Sequence, residues 1–138
     1  MSTIGNRITT VAIPAGTTFT TPVLSAATGS ATLRLTERVY AYAAPGATPT
    51  INSDTYDVVN MTAMAAAITS LTTNLSGTPT SEQFLQLNFT DDGTARAITF
   101  GATFAASTIT LPTTTVISTK LSCLFQWTGS VWRLVGKA

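Results

Sequence analysis

The sequence predicts an all-β chain: an antiparallel β-sandwich, jelly-roll-like, preceded by an extended N-terminal arm. Three observations predict it. Thirty of the 138 residues are threonine, a β-branched residue that is stiff at χ1 and suited to a pleated surface. Charged residues amount to only 9%, against ~25% in an ordinary globular protein, so threonine takes the outside positions that Lys and Glu usually hold on helices. Short apolar runs also recur at regular spacing with turn residues between them, as in sandwiches and barrels. A chain of this length makes one domain that buries roughly two thirds of its unfolded surface. The expected division is an arm or edge strands over 1–30 and the sandwich over 31–138.

Residues 1–30 carry a single charge, Arg7, and alternate short apolar pieces such as "ITTVAI" with Thr and Gly. Two readings fit: an extended arm laid on a neighbouring subunit through Ile4, Ile8, Val11 and Ile13, or a pair of edge strands in the same domain. "ATLRLTERVYAYA" (31–43) alternates, with Leu33, Leu35, Val39 and Ala41 on one face. Arg34, Thr36, Arg38, Tyr40 and Tyr42 fall on the other, which predicts a strand with one buried and one wet or interfacial side. Glu37 interrupts the apolar face and belongs near a sheet edge or beside an Arg. "APGATPTINSD" reads as a turn-rich link.

A strand follows at 55–61, then a short helical turn or a second strand near 65–73, where alanine content and Thr-rich flanks pull in opposite directions. "GTPTSEQ" (77–83) is a loop. Strands are expected at 83–90, 95–101, 107–111, 115–126 and 131–136.

"LQLNFTDDGTARAITFG" (85–101) admits three readings: a cation site at Asp91-Asp92-Gly93, a glycan acceptor at Asn88-Phe89-Thr90, or a β-turn. A two-residue loop at Asp92-Gly93 pairs Phe89 with Arg96 and Leu87 with Ile98, placing Leu85, Leu87, Phe89, Ile98 and Phe100 on one face. A three-residue loop mixes the faces, and a one-residue slip inverts a strand. Asp-Gly also favours the type I′ turn. Calcium wants six to eight oxygens from spaced carboxylates, which two adjacent aspartates do not supply. N-x-[ST] triplets arise by chance in a Thr-rich chain, and with no secretory signal at the N-terminus no route to glycosylation is expected. The turn is the preferred reading.

The C-terminus repeats the device. A Gly129-Ser130 turn of type II′ pairs Trp127 with Trp132, Phe125 with Leu134 and Gln126 with Arg133. The two tryptophans then plug a core or interface, or else form a sugar-stacking platform. Tyr40 and Tyr42 are the other candidate interface or glycan aromatics.

Several chemistries have no residues to carry them. The chain has no histidine, the commonest general base and metal ligand. Its one cysteine, Cys123, lies among apolar residues in "KLSCLFQW" and is expected to be an inert buried thiol without a disulfide partner. No phosphate-binding or nucleophile-elbow motif appears. Net charge is +1 with seven scattered basic residues, so nucleic-acid binding is not expected. No apolar run approaches 18 residues, so no membrane span is expected. The expectation is a non-enzyme with no catalytic residues, cofactor or metal. A surface this poor in charge gives little colloidal protection to a free monomer and points to burial in an assembly.

From about residue 51 to 136 the sequence resembles a module of tailed-bacteriophage virion proteins. The resemblance rests on "TNLSGTP" (73–79), "DGTARAITFG" (92–101), "LPTTT" (111–115) and a closing strand pair near a tryptophan, in that order. It implies a β-sandwich of phage structural proteins, including head-surface and tail-fibre components, and transfers no catalytic residue. Residues 1–50 lie outside it and are expected to determine where on the particle the protein attaches. The expectation is a capsid decoration or cement protein at the virion surface. It would bind the major capsid protein as a homo-oligomer, a trimer being favoured. The alternative is a tail adaptor, or a tail-fibre or receptor-binding component with glycan binding.

Overall fold

The computed structural model describes residues 36–138, and every regular element within them is a β-strand. The arm positions Ile4, Ile8, Val11 and Ile13, together with Leu33 and Leu35, lie outside the described residues. In chain order the strands are β1 (Val39–Ala43), β2 (Ile51–Asn52), β3 (Val58–Met64), β4 (Leu75–Ser76), β5 (Phe84–Asp91), β6 (Phe104–Ala105), β7 (Leu121–Trp127) and β8 (Trp132–Lys137). Six of them form one sheet in the order β1-β3-β5-β7-β8-β6, and β2 pairs with β4 separately.

The pairing lays side chains in rows across the sheet. Tyr42, Met61, Phe89 and Leu121 follow one another across β1, β3, β5 and β7, and Tyr40, Val59, Leu87 and Cys123 make the next row. Leu85, Phe125 and Leu134 extend the same face. This is the core face, with the two tyrosines partly buried at its margin. The row behind it runs Ala41, Asn60, Asn88 and Ser122, because alternate residues of a strand point to opposite faces. Asn88 is only 2% exposed there. Its amide donates to Asn60 Oδ1 at 2.7 Å and accepts from Gln86 Nε2 at 3.0 Å, which satisfies a polar group that would otherwise be costly to bury.

A layer of crossovers covers the core face. Ile51, Ile68 and Leu71 come from the connections 44–57 and 65–83, and Ile98 and Phe100 from the segment between β5 and β6, with Phe104 of β6 packed against them from the sheet edge. The two connections are joined to each other by the β2–β4 pairing, Ile51 to Leu75 and Asn52 to Ser76. They are tied to the later segment by Leu71 N–H donating to Thr99 O at 3.1 Å and Thr99 N–H to Ile68 O at 2.9 Å. Phe100 sits among Phe89, Phe104 and Phe125 with ring centroids 5.5–6.0 Å apart, one pair close to perpendicular, the separations aromatic pairs favour.

The structure is all-β, as the composition predicts, but it departs from the sequence reading in several places, the strand expected over 115–126 beginning only at Leu121. The main sheet is mixed: β1 with β3, β3 with β5 and β6 with β8 run parallel, and only β5 with β7 and β7 with β8 are antiparallel. Connections 44–57 and 65–83 each exceed a dozen residues, long enough to return the chain in the same direction. The hairpin at Asp92-Gly93 does not form, because both edges of β5 are occupied by β3 and β7. Residues 95–101 go instead to the covering layer, where Ile98 bridges Ile68 and Ala97 bridges Thr114. The face sorting nevertheless holds, since Leu85, Leu87, Phe89, Ile98 and Phe100 are all buried.

In β1 the faces are inverted. Val39 is 54% exposed while Tyr40 and Tyr42 pack on the core, because a tyrosine ring removes more apolar area from water than Val or Ala and keeps its hydroxyl wet. Segment 65–73 is neither helix nor strand, and 107–111 forms no strand. In the former, Ser70 Oγ accepts the N–H groups of Thr72 and Thr73, a local bond that competes with regular structure. The C-terminal hairpin has the predicted register, Phe125 to Leu134, Gln126 to Arg133 and Trp127 to Trp132. Gly129 turns it at φ +94°, a conformation that glycine adopts without strain.

Removing the ring of Phe89, at the crossing of the core rows, should cost about 3–5 kcal/mol in Phe89→Ala. Val39→Ser should change stability by less than about 0.5 kcal/mol. Urea unfolding followed by far-UV circular dichroism separates the two outcomes.

Candidate functional site

The C-terminal hairpin places Trp127 opposite Trp132, with ring centroids 5.3 Å apart and planes at 57°. Trp132 is 1% exposed and Trp127 stands partly exposed at the edge of the core. Beside them β6 runs along β8, and Trp132 N–H donates to Thr103 O at 2.8 Å. Across a gap stands the chain leaving β2 and β4. The gap is a cleft of about 210 Å³, with apolar walls from Leu75, Pro79 and the two tryptophans.

Hydroxyls supply the rest of the lining. Ser53 Oγ donates to Ser76 O at 3.2 Å, Ser76 Oγ to Ile51 O at 3.3 Å, and Thr72 Oγ1 to Phe100 O at 3.1 Å. Each such oxygen keeps acceptor capacity after its proton is engaged. Gly77 closes the wall at φ +112°, and a Cβ there would lie 2.3 Å from Ser53 Oγ. Only glycine allows so close an approach. No side chain lining this cleft is ionisable.

The tyrosines make a separate group. Tyr40 stacks on Tyr56 at 4.6 Å and 13°, and lies 5.0 Å from Tyr42. One face of Tyr40 is therefore covered by another ring. This group is at the β1 end of the sheet, while Trp127 and Trp132 lie on β7 and β8. The structure brings the candidate aromatics together in two sets, not one.

Three aspartates, Asp57, Asp91 and Asp92, are engaged in holding the fold. Asp91 Oδ2 accepts from Thr115 Oγ1 at 2.6 Å, and Oδ1 accepts from Ser118 N–H at 2.9 Å and Gly93 N–H at 3.0 Å. The Thr115 hydroxyl above all, then the Ser118 amide, hold its carboxyl below the usual carboxylate range. Asp92 pairs with Arg96 at 2.8 Å, and that hydrogen bond lowers its pKa as well. Asp57 takes the Arg38 fork at 2.6 and 3.0 Å plus the Arg38 backbone N–H at 2.9 Å, and is likewise lowered, chiefly by the Arg38 side chain. The Arg38 guanidinium also donates to Asp54 O, so the clasp joins the start of β1 to the start of β3. Among the described residues no three His, Cys, Asp or Glu side chains gather as metal ligands. Burial pushes the Cys123 thiol up to about 11, leaving no thiolate near neutral pH.

Sequence reasoning identified one wall of the cleft, the tryptophan pair, and missed the other. Ser53, Ser76 and Gly77 stand more than forty residues before Trp127, and no local pattern ties them to it. The Asp91–Thr115 bond was missed for the same reason.

The lowered carboxylates set the acid limit of the fold. A folded pKa below the unfolded value stabilises above the unfolded pKa of about 3.9 and is lost as pH falls through the folded value. The melting temperature should therefore hold from pH 7 to about pH 5 and fall below that. Asp91→Asn should melt lower than the wild type at pH 7, with the gap narrowing as the pH drops. Thermal scans from pH 7 to 2 read both effects, and a gap that stays constant would contradict the assignment.

No protein-family model, curated protein or solved structure matches the chain.

Proposed function

We propose that this chain is a non-enzymatic structural protein of a tailed-phage virion, a decoration or cement protein that binds the head shell as a homo-oligomer, with a trimer favoured. The observation that carries the reading is the character of the surface. Asp57, Asp91 and Asp92 are engaged in internal bonds, while Val39, Phe84, Val116 and Ile117 are each at least half exposed. Exposed apolar side chains beside few free charges suit a surface that is covered in an assembly.

Val116 and Ile117 stand on a turn whose Ser118 N–H is bonded to Asp91. A contact presented on a pinned turn loses little freedom on binding. In this reading the six-stranded sheet and its covering layer are the two layers of a sandwich-like module. Residues 1–30 are the arm, laid on a neighbouring subunit through Ile4, Ile8, Val11 and Ile13, with the major capsid protein as partner. The resemblance to phage virion modules over 51–136 supports the same class.

Quantifying the chain in purified particles tests the location: hundreds of copies fit a shell coat, and a single ring of copies fits a tail adaptor or fibre instead. Deleting residues 1–20 should abolish binding to emptied heads while the thermal unfolding of the rest is retained. Undiminished head binding would rule out the arm.

A further inference from the structure

We propose that the cleft between β4 and the Trp127–Trp132 pair binds one neutral sugar ring, as the terminal unit of a glycan. Its size limits the occupant. A volume of about 210 Å³ is smaller than the ~300–1,000 Å³ of sites for drug-sized molecules, so a single ring enters and the remainder of a chain stays outside.

The lining selects the chemistry. No ionisable side chain lines the cleft, so a carboxylate, phosphate or ammonium has no counter-charge to meet. The protons of Ser53, Ser76 and Thr72 are engaged by backbone carbonyls, and Thr72 Oγ1 also accepts the Thr103 N–H at 3.3 Å. Ser53 is only 1% exposed and backs the wall, whereas the exposed Ser76 presents an acceptor to an entering ligand, and a ligand rich in hydroxyl donors matches it. Trp127 supplies an apolar wall that is still partly exposed. The two indole planes are tilted by 57°, so they do not form parallel plates around a flat base or aromatic ring. A puckered ring with C–H groups on one side and hydroxyls on the other packs on a single indole and turns its polar edge to the serines and threonines. The depressions on the opposite face of the sheet, beside Lys120 and beside Lys137, have no aromatic wall.

Gly77 lets the β4 exit approach Ser53 closely enough that any side chain would collide with it, and this approach shapes the wall facing the tryptophans. The inference goes beyond the virion reading and applies to a head or a tail location, so failure of either leaves the other standing.

The chain has two tryptophans and both line the cleft, so intrinsic tryptophan emission reports on this site. Titrating the full chain with D-glucose, D-galactose and N-acetyl-D-glucosamine should give a saturable change for at least one of them, half-complete at a millimolar concentration. The acyclic polyol mannitol should give none. Trp127→Ala should weaken binding at least tenfold by calorimetry, and Ser76→Ala, which removes the exposed acceptor of the opposite wall, should weaken it a few-fold, with thermal melting checking that both variants are folded. No saturation with any of the three sugars up to about 0.1 M would overturn the proposal. So would an equal response to mannitol, or binding unaffected in both folded variants.

Discussion

Strand β5 is hydrogen-bonded on both sides, to β3 in parallel and to β7 in antiparallel, and the rest of the structure follows from that double pairing. Leu85, Leu87 and Phe89 are wholly shielded from water on its core face. Because neither edge is free, the chain after Asp91 cannot fold back as a hairpin. It leaves the sheet, carries Ile98 and Phe100 over the core face, meets the sheet edge as β6 with Phe104 beside β8, and then returns as β7. The same strand needs a parallel neighbour, which requires long crossovers, and those supply the other half of the covering layer. The layer lacks helices, so its backbone groups are satisfied strand by strand and turn by turn: β2 on β4, Ile68 on Ile98, Ala97 on Thr114.

Polar side chains hold this irregular layer where regular structure does not. The Asp91 carboxylate gathers Gly93, Thr115 and Ser118 and so fixes both the departure from β5 and the approach to β7. Thr72 Oγ1 links the second crossover to Phe100 and Thr103. Arg38 and Asp57 pin the start of β1 to the start of β3. Asp57, Asp91 and Asp92, with Arg38 and Arg96, thus serve as internal fasteners in a charge-poor chain. The cleft beside Trp127 is a product of the same arrangement, since one wall belongs to the crossover pair and the other to the last hairpin.

Much of this was legible in the residues. Threonine content and low charge pointed to an all-β chain. Parity placed Leu85, Leu87, Phe89, Ile98 and Phe100 on one buried face, and the Gly129-Ser130 turn set the register of β7 and β8, because a two-residue loop leaves only one pairing. The tryptophan pair was legible for that reason. What parity could not reveal was the partner of each strand. Alternation says which side of a strand is apolar, and it is silent on whether the neighbouring strand comes from the next ten residues or from thirty away. It also misled at β1, where counting apolar letters favoured Val39 and Ala41 over tyrosines with larger burial area.

By itself, then, the sequence determined the class of the fold, the side chains available to the core, the closing hairpin, and the absence of histidine and of a second cysteine. Only the tertiary structure decided the mixed sheet, the engagement of Asp91, and the meeting of Ser53, Ser76 and Gly77 with the two tryptophans. Local turns and side-chain period are short-range properties written in adjacent residues. Strand order and the walls of a cleft are settled by competition among distant segments for the edges of β5 and for cover over one shared core.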